Sequence, residues 1–157
     1  MKLYFLRHGI ADWPDWDLAR DQERPLTQEG VKKAKAEARA IARLDLQLDA
    51  ILASPYARAY QTADLVASKL GLEVHAEPLL APGFNLERLE EILRAHPAAS
   101  ALMLVGHEPS FSAVIVQLIG GGRIVMKKGS LARVDVDTAD SLRGELVWLL
   151  TARTLTR

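Results

Sequence analysis

Two histidines and two arginines occupy positions where predicted strands end. His8 and His107 each follow an apolar run and stand beside a glycine, Arg7 directly precedes His8, and Arg58 lies shortly after a third apolar run. Two guanidinium groups can hold a dianionic phosphoryl group through paired hydrogen bonds. A neutral imidazole can attack phosphorus, and a second one can hydrogen-bond the non-bridging oxygens in the transition state. These four residues therefore predict phosphoryl transfer.

Each arginine also has a simpler interpretation. Arg7 ends a buried strand, and an ion pair with one of the nearby aspartates would satisfy it there. Arg58 falls in the first turn of a predicted helix, where its charge opposes the helix dipole, and an isolated arginine of this kind is commonly exposed. An anion site and these separate roles are alternatives at this point.

The apolar patterns predict an α/β domain that brings the four residues to one edge of a sheet. Strands that alternate with helices indicate three layers, α/β/α, with a mostly parallel central sheet, and ligands bind beyond the carboxyl ends of such strands. The last two strands are expected to be antiparallel edges joined around 140–144. The predicted strands are 2–6, 49–53, 73–75, 101–105, 131–137 and 145–151; a loop covers 12–24; helices follow Thr27, Ser54-Pro55, Asn85 and Pro109, and Gly71 ends the second.

Length, charge and composition narrow the class of protein. The 157 residues are expected to form a single domain, 1–157, with an ordinary apolar fraction of 49%. Twenty basic and twenty acidic residues give zero net charge, which disfavours a nucleic-acid or anionic-membrane binder. Cysteine is absent, which excludes disulfides and thiolate sites. With no signal segment and no apolar stretch of ~18 residues, a cytoplasmic protein is expected.

Other catalytic patterns fail in this sequence. No GxxxxGK[ST] loop is present, and the glycines at 120–122 lack the strand-to-helix context of a dinucleotide site. Ser54 and Ser110 lack a nucleophile elbow. Aspartates near His8 resemble metal ligands in type, but arginines at the same edge would repel a cation. Neither a metal nor another cofactor is expected.

Four ordered blocks resemble the signature of the histidine phosphatase superfamily, which has the phosphoglycerate-mutase-like fold. An isolated RHG is a weak signal, whereas four blocks in order across most of the chain are a strong one. Within the superfamily the chain looks most like the small phosphohistidine phosphatases of the SixA type. The blocks are RHG at 7–9, RPLT with a following glycine at 24–30, SPYARAYQTA at 54–63 and VGHEP at 105–109.

Departures from other branches support that placement. Mutase-like members often carry an acidic residue directly after RHG, where this chain has Ile10. Acid phosphatases and phytases carry RHGxRxP, where this chain has Ala11 and Trp13. Both differences lower the resemblance to those branches.

The resemblance implies a role for each matching position. His8 is expected to be phosphorylated transiently, and Arg7, Arg58 and His107 are expected to form the phosphate pocket. Arg24 is expected at the rim of that pocket.

The general acid of many superfamily members has no clear counterpart. Its region contains Glu77, and Asp12 or Asp21 in the acidic loop are the other candidates. An alkoxide leaving group needs protonation in the transition state. A phosphohistidine leaves as imidazole, whose conjugate acid has a pKa near ~6.5, and it needs no strong acid. The lack of a clearly placed general acid therefore favours a substrate in which phosphorus is bonded to nitrogen.

Three functions remain open from the sequence. The first is a phosphatase for protein phosphohistidine, with a phosphorelay or phosphotransfer protein as partner. The second is a small-molecule phosphomonoesterase with the same site, and the third is a non-catalytic module that reads phosphorylated partners. Trp13 and Trp16 either dock a partner or fasten the loop to the core.

Overall fold

The computed structural model describes residues 1–137 and 141–157, which build one six-stranded sheet with helices on both faces. Its order of elements agrees with the predicted alternation of strands and helices. The strands are β1 (Lys2–Arg7), β2 (Ala50–Ala53), β3 (Val74–Ala76), β4 (Ala101–Gly106), β5 (Leu131–Asp137) and β6 (Arg143–Leu150); the helices are α1 (Gln28–Ala42), α2 (Ala57–Leu70), α3 (Leu86–Ala95), α4 (Ser110–Leu118) and α5 (Ala152–Leu155).

The sheet has the order β3-β2-β4-β1-β5-β6. The first four strands in this order pair in parallel, whereas β5 pairs antiparallel with β1 and β6 antiparallel with β5. This confirms the three-layer, mostly parallel α/β/α fold. The prediction that both final strands are edges is wrong for β5, which lies inside the sheet.

The polar pattern of β5 explains that error. Arg133 and Asp135 stand on one face of the strand and form an ion pair of 2.6 Å with each other, so a strand inside the sheet can carry two charges. Part of the predicted connection around 140–144 lies outside the described residues.

The two sheet faces carry separate apolar cores. Alternate residues of β1 point to opposite sides, with Phe5 in the core under α3 and α4 and Leu6 in the core under α1 and α2. Leu155 of α5 joins the second core. Because β1 and β4 lie between both cores, their carboxyl ends are held from both sides.

Local side chains set the ends of the helices. The Thr27 hydroxyl accepts the Gly30 N–H and begins α1, and Gly71, with φ of 68°, ends α2, as the sequence predicts. The predicted loop 12–24 contains a 3₁₀ helix at Leu18–Glu23, which begins where the Asp17 carboxylate accepts the Ala19 N–H.

The end of the last strand also differs from its prediction. Thr151, predicted as strand, instead begins α5 by accepting the Thr154 N–H. None of the helices within 1–137 and 141–157 is long and apolar enough to cross a bilayer.

Candidate active site

The carboxyl ends of β1, β2 and β4 place the predicted residues together. The His8 N–H donates to the Gly106 carbonyl over 3.1 Å, and the Ser54 N–H donates to the Val105 carbonyl over 2.9 Å. The rings of His8 and His107 then lie 5.2 Å apart between centroids. Both histidines are buried at this edge.

His8 has the tautomer and charge of a nucleophile. Its Nδ1 lies 2.8 Å from the Gly9 carbonyl oxygen, which can only accept, so Nδ1 carries the proton and Nε2 keeps its lone pair. Burial, together with the charges of Arg58 and Arg7, lowers the pKa of His8 to about 4 against the opposing hydrogen bond to Gly9. The imidazole is therefore neutral near pH 7.

His107 is held through its other ring nitrogen, Nε2, by Ser54. The Ser54 hydroxyl lies 2.8 Å from Nε2 of His107 and accepts the Tyr56 N–H over 3.2 Å. Burial, and then the neighbouring His8, lower the pKa of His107 to about 3, so its ring is neutral. When the hydroxyl donates to Nε2, the ring proton lies on Nδ1. In the sequence, Ser54 stands directly after β2 and begins the third block, but its contact with His107 has no local signal.

Arg58 is buried rather than exposed, so its interpretation as a surface arginine is wrong. It is 4% exposed, and its Nη1 and Nη2 donate to the carbonyl and the carboxylate of Asp21 over 2.9 and 3.0 Å. Its guanidinium also lies 5.1 Å from the centre of the Tyr56 ring. Asp21 in the loop before α1 and Tyr56 at the beginning of α2 together fix the arginine at the start of α2.

Arg7 is held by backbone. Its Nη1 donates to the Met126 carbonyl over 2.8 Å. Among the ion pairs of the described residues none involves Arg7, so the predicted pairing with an aspartate is wrong. Arg24, expected at the rim, donates to the Ala11 carbonyl and to Asp21, and its charge reaches both histidines.

Three buried N–H donors of this site have no partner within residues 1–137 and 141–157. They are Nε of Arg7, Nε of Arg58 and, in the tautomer set by Ser54, Nδ1 of His107. Buried donors are nearly always hydrogen-bonded, so three orphans at one edge indicate a place for an acceptor-rich anion. In those same residues no three histidine or carboxylate side chains lie close enough to hold a metal ion.

The three candidate acids are all engaged in other contacts. Asp12 forms an ion pair with Lys128, whose hydrogen bond lowers the pKa of the Asp12 carboxyl. Burial acts to raise the pKa of Asp21, but hydrogen bonds from Arg24 and Arg58 outweigh it and lower that pKa.

Glu77 is committed to a local turn. Its carboxylate accepts the Leu79 N–H over 3.0 Å and begins the 3₁₀ helix Pro78–Leu80. The structure therefore brings Asp21 directly onto Arg58, and it leaves Asp12 and Glu77 bonded to other partners.

The two tryptophans brace the loop beside the site. Their rings lie 6.4 Å apart, and the indole N–H groups of Trp13 and Trp16 donate to the carbonyls of Pro25 and Arg20. These contacts join residues within 13–25 and so brace that segment itself, and Trp13 is 40% exposed.

Comparisons with known proteins place this site in a family. The model of the histidine phosphatase superfamily (branch 1) matches residues 3–82, which include the first three sequence blocks. The chain is 42% identical over 112 residues to an uncharacterized protein of Picosynechococcus sp., covering 69% of this chain and 67% of that protein. It is 28% identical over 153 residues to the phosphohistidine phosphatase SixA of Escherichia coli (strain K12), covering 94% and 92%.

A solved structure extends the similarity beyond residue 82. The protein histidine phosphatase SixA complexed with tungstate superposes with a TM-score of 0.85 at 25% identity, covering 99% of both chains. The full sheet, with the β4 end that carries His107, therefore has its counterpart there. By its sequence blocks, its fold and these similarities, this chain belongs to the histidine phosphatase superfamily.

Proposed function

We propose that this chain is a phosphatase that forms a transient phosphohistidine on His8 and that its substrate is protein phosphohistidine. One observation carries the proposal: a neutral imidazole stands among three buried donors that lack partners, on Arg7, Arg58 and His107. A phosphoryl group offers three oxygens to such donors. The arginines supply positive charge, and in other phosphoryl-transfer enzymes one arginine contributes ~10³–10⁵ in rate.

The first chemical step transfers the phosphoryl group to His8. The Nε2 lone pair forms a P–N bond while the P–N bond of the substrate breaks and its electron pair goes to the substrate ring nitrogen. The Gly9 carbonyl accepts the hydrogen bond from Nδ1–H and stabilises the positive charge that develops on the His8 ring. Nδ1–H of His107 and the two Nε–H groups can donate to the non-bridging oxygens.

The second step returns His8 to its starting state. Water attacks the phosphorus, the P–N bond to His8 breaks, and inorganic phosphate leaves with the protons of the water. His8 is again neutral because burial lowers its pKa to about 4.

The state of the carboxylates favours phosphohistidine over an ester. The pKa values of Asp12 and Asp21 are lowered, so both are ionised near pH 7 and donate no proton. A phosphohistidine protonated on its free ring nitrogen leaves as neutral imidazole and needs no such donor. The similarity to a phosphohistidine phosphatase points the same way. The expected partner is a phosphorylated phosphorelay or phosphotransfer protein.

Trapping of the intermediate tests the proposal. Rapid quench with labelled phosphoramidate is expected to leave acid-labile label on the wild-type chain and none on His8→Ala. Arg58→Ala is expected to lose ~10³-fold in kcat/KM while keeping its fold by circular dichroism. An unlabelled wild-type chain, with phosphoprotein bound tightly but not turned over, would instead support a module that only reads phosphate.

A substrate panel separates the two catalytic alternatives. Under the proposal, kcat/KM for a phosphohistidine protein exceeds that for sugar and nucleotide phosphates, and Glu77→Gln changes it little. Higher kcat/KM for esters, with a large loss in Glu77→Gln on esters alone, would identify a small-molecule phosphomonoesterase with Glu77 as its acid.

A further inference from the structure

A cavity of about 690 Å³ lies beside the catalytic edge but not over it. Its walls come from α1, from the chain at Gly9 and Asp12, from the turn at Lys127 and from α5. Arg7 of the phosphate pocket also lines it, whereas His8, Arg58 and His107 do not. Its volume falls in the range of ~300–1,000 Å³ that is usual for small-molecule sites. Catalysis at His8 gives a role to Arg7 but none to α1, to α5 or to the turn at Lys127.

Cationic side chains dominate the walls of this cavity. Five of them line it, against the two carboxyl groups of Asp12 and Glu37. Lys127 and Arg153 form no ion pair with any described residue. The whole chain has zero net charge, so this excess is local and favours an anionic occupant. The five cations are Arg7, Lys33, Lys127, Lys128 and Arg153.

Glu37 adds a second requirement for the occupant. It lines the cavity and is only 4% exposed, and within the described residues its Oε2 has no hydrogen-bond partner. The carboxyl group packs on Gly129, where a Cβ would stand 2.4 Å from Oε1. A buried carboxyl without a donor is costly, so a donor brought by a ligand would stabilise it.

We propose that this cavity binds a small polyanion that carries a hydroxyl group, with its anionic groups on Lys127 and Arg153 and its hydroxyl on Glu37. Polycarboxylates and phosphorylated sugars share this chemistry. The site adjoins the phosphate pocket through Arg7, but its occupancy by these anions does not depend on the function proposed for His8. Gly129 connects the two, because its N–H donates to the carbonyls of Arg7 and His8.

Citrate is a suitable first probe because it is not a phosphatase substrate. In an amide NMR titration of the wild-type chain, shifts are expected at residues 33–37 and 151–156. The double variant Lys127→Ala, Arg153→Ala is expected to weaken binding at least about tenfold. The matched control Lys69→Ala, Arg143→Ala removes two exposed cations outside the cavity and is expected to change the affinity less than about twofold.

The role of Glu37 is tested without mutating it. Tricarballylate is citrate without its hydroxyl group, and it is expected to bind about fivefold more weakly at a pH above the Glu37 pKa of about 7. Ribose 5-phosphate tests by the same NMR titration whether a phosphorylated sugar binds in the cavity. It is titrated into His8→Ala so that it is not consumed.

Any one of three results would overturn the proposal. They are the absence of shifts at 33–37 and 151–156 with both probes, shifts confined to the strand ends around His8, and equal affinity for citrate and tricarballylate. Cavity shifts with either probe, together with the hydroxyl preference, support it.

Discussion

At the scale of single residues, the ability of His107 to donate a hydrogen bond to a phosphoryl oxygen depends on which ring nitrogen carries the proton. The Ser54 hydroxyl is fully buried and already accepts the Tyr56 N–H, so its own hydrogen is free for Nε2 of His107. This arrangement leaves Nδ1 as the donor to a phosphoryl oxygen. Ser54 is therefore a positioning residue, acting through His107.

Removal of that hydroxyl should affect catalysis more than folding. Ser54→Ala leaves the His107 tautomer unset, and we expect kcat to fall ~10-fold or more with a loss of about 1 kcal/mol in the free energy of unfolding. Kinetics and urea unfolding measure the two effects, and long-range ¹H–¹⁵N spectra report the tautomer. Ser68→Ala, an exposed serine on α2, is the matched control. Unchanged kcat and an unchanged Nδ1–H tautomer would show that Ser54 has no such role.

The two site histidines also predict how stability depends on pH. In the unfolded chain their pKa values return to ~6.5, whereas in the fold burial lowers them to about 4 for His8 and about 3 for His107. Between those values the unfolded chain binds protons that the folded chain does not. Stability is therefore complete above pH ~6.5 and is lost as the pH falls toward 4.

Urea unfolding at several pH values checks the direction in which stability changes with pH. From pH ~7 to ~5.5 we expect each histidine to contribute a loss of about 1 kcal/mol, and both imidazoles should stay neutral in NMR spectra of the folded chain. Burial raises the pKa of Glu37 to about 7, so this carboxyl contributes in the opposite direction over the same range and makes the net loss smaller. His107→Asn, which removes one titrating ring, should reduce the slope. A folded-state titration of either ring near 6.5 contradicts the prediction.

At the scale of elements, the contact between α1 and the segment after His8 explains the glycine of the second sequence block. The Thr27 N–H donates to the Ile10 carbonyl over 2.9 Å, and a Cβ on Gly30 would stand 2.1 Å from the same oxygen. The first turn of α1 therefore rests directly on backbone two residues from the nucleophile.

The variant Gly30→Ala tests whether the close contact with Ile10 outweighs the higher helix propensity of alanine. Alanine favours a helix by about 1 kcal/mol over glycine, but the clash with Ile10 should outweigh this gain. We expect a net loss of about 1–3 kcal/mol in urea unfolding and reduced kcat, because the segment after His8 must move. Lys35→Ala, exposed on the same helix, should be neutral or stabilising. A more stable Gly30→Ala chain would show that the contact is loose.

Local patterns predicted most elements, and long-range contacts account for the errors. Helix α3 and the ends set by Thr27 and Gly71 depend on neighbouring residues, so sequence alone located them. The same holds for the four residues at strand ends. Contacts such as Asp21 with Arg58, 37 residues apart, and Ser54 with His107, 53 apart, have no local signal. They explain why Arg58 is buried and why Ser54 was not anticipated.

At the scale of the whole molecule, one sheet carries both cores and the site. Strands β1 and β4 contribute alternate side chains to the core under α3 and α4 and to the core under α1 and α2. The site lies at their shared carboxyl end, so neither core can be lost without disturbing it. This geometry predicts one cooperative unit rather than two halves.

Matched truncations of two isoleucines test whether the molecule unfolds as one cooperative unit. Ile41 and Ile115 are both 0% exposed and lie in opposite cores, so Ile41→Ala and Ile115→Ala should each cost about 2–5 kcal/mol. For each variant, far-ultraviolet circular dichroism, tryptophan fluorescence and loss of activity in urea should share one midpoint and an unchanged slope. Val125→Ala, at a side chain 71% exposed, should shift the midpoint little. Separate midpoints for the probes in one truncation would mean that the two faces of the sheet unfold independently and that the site depends on only one of them.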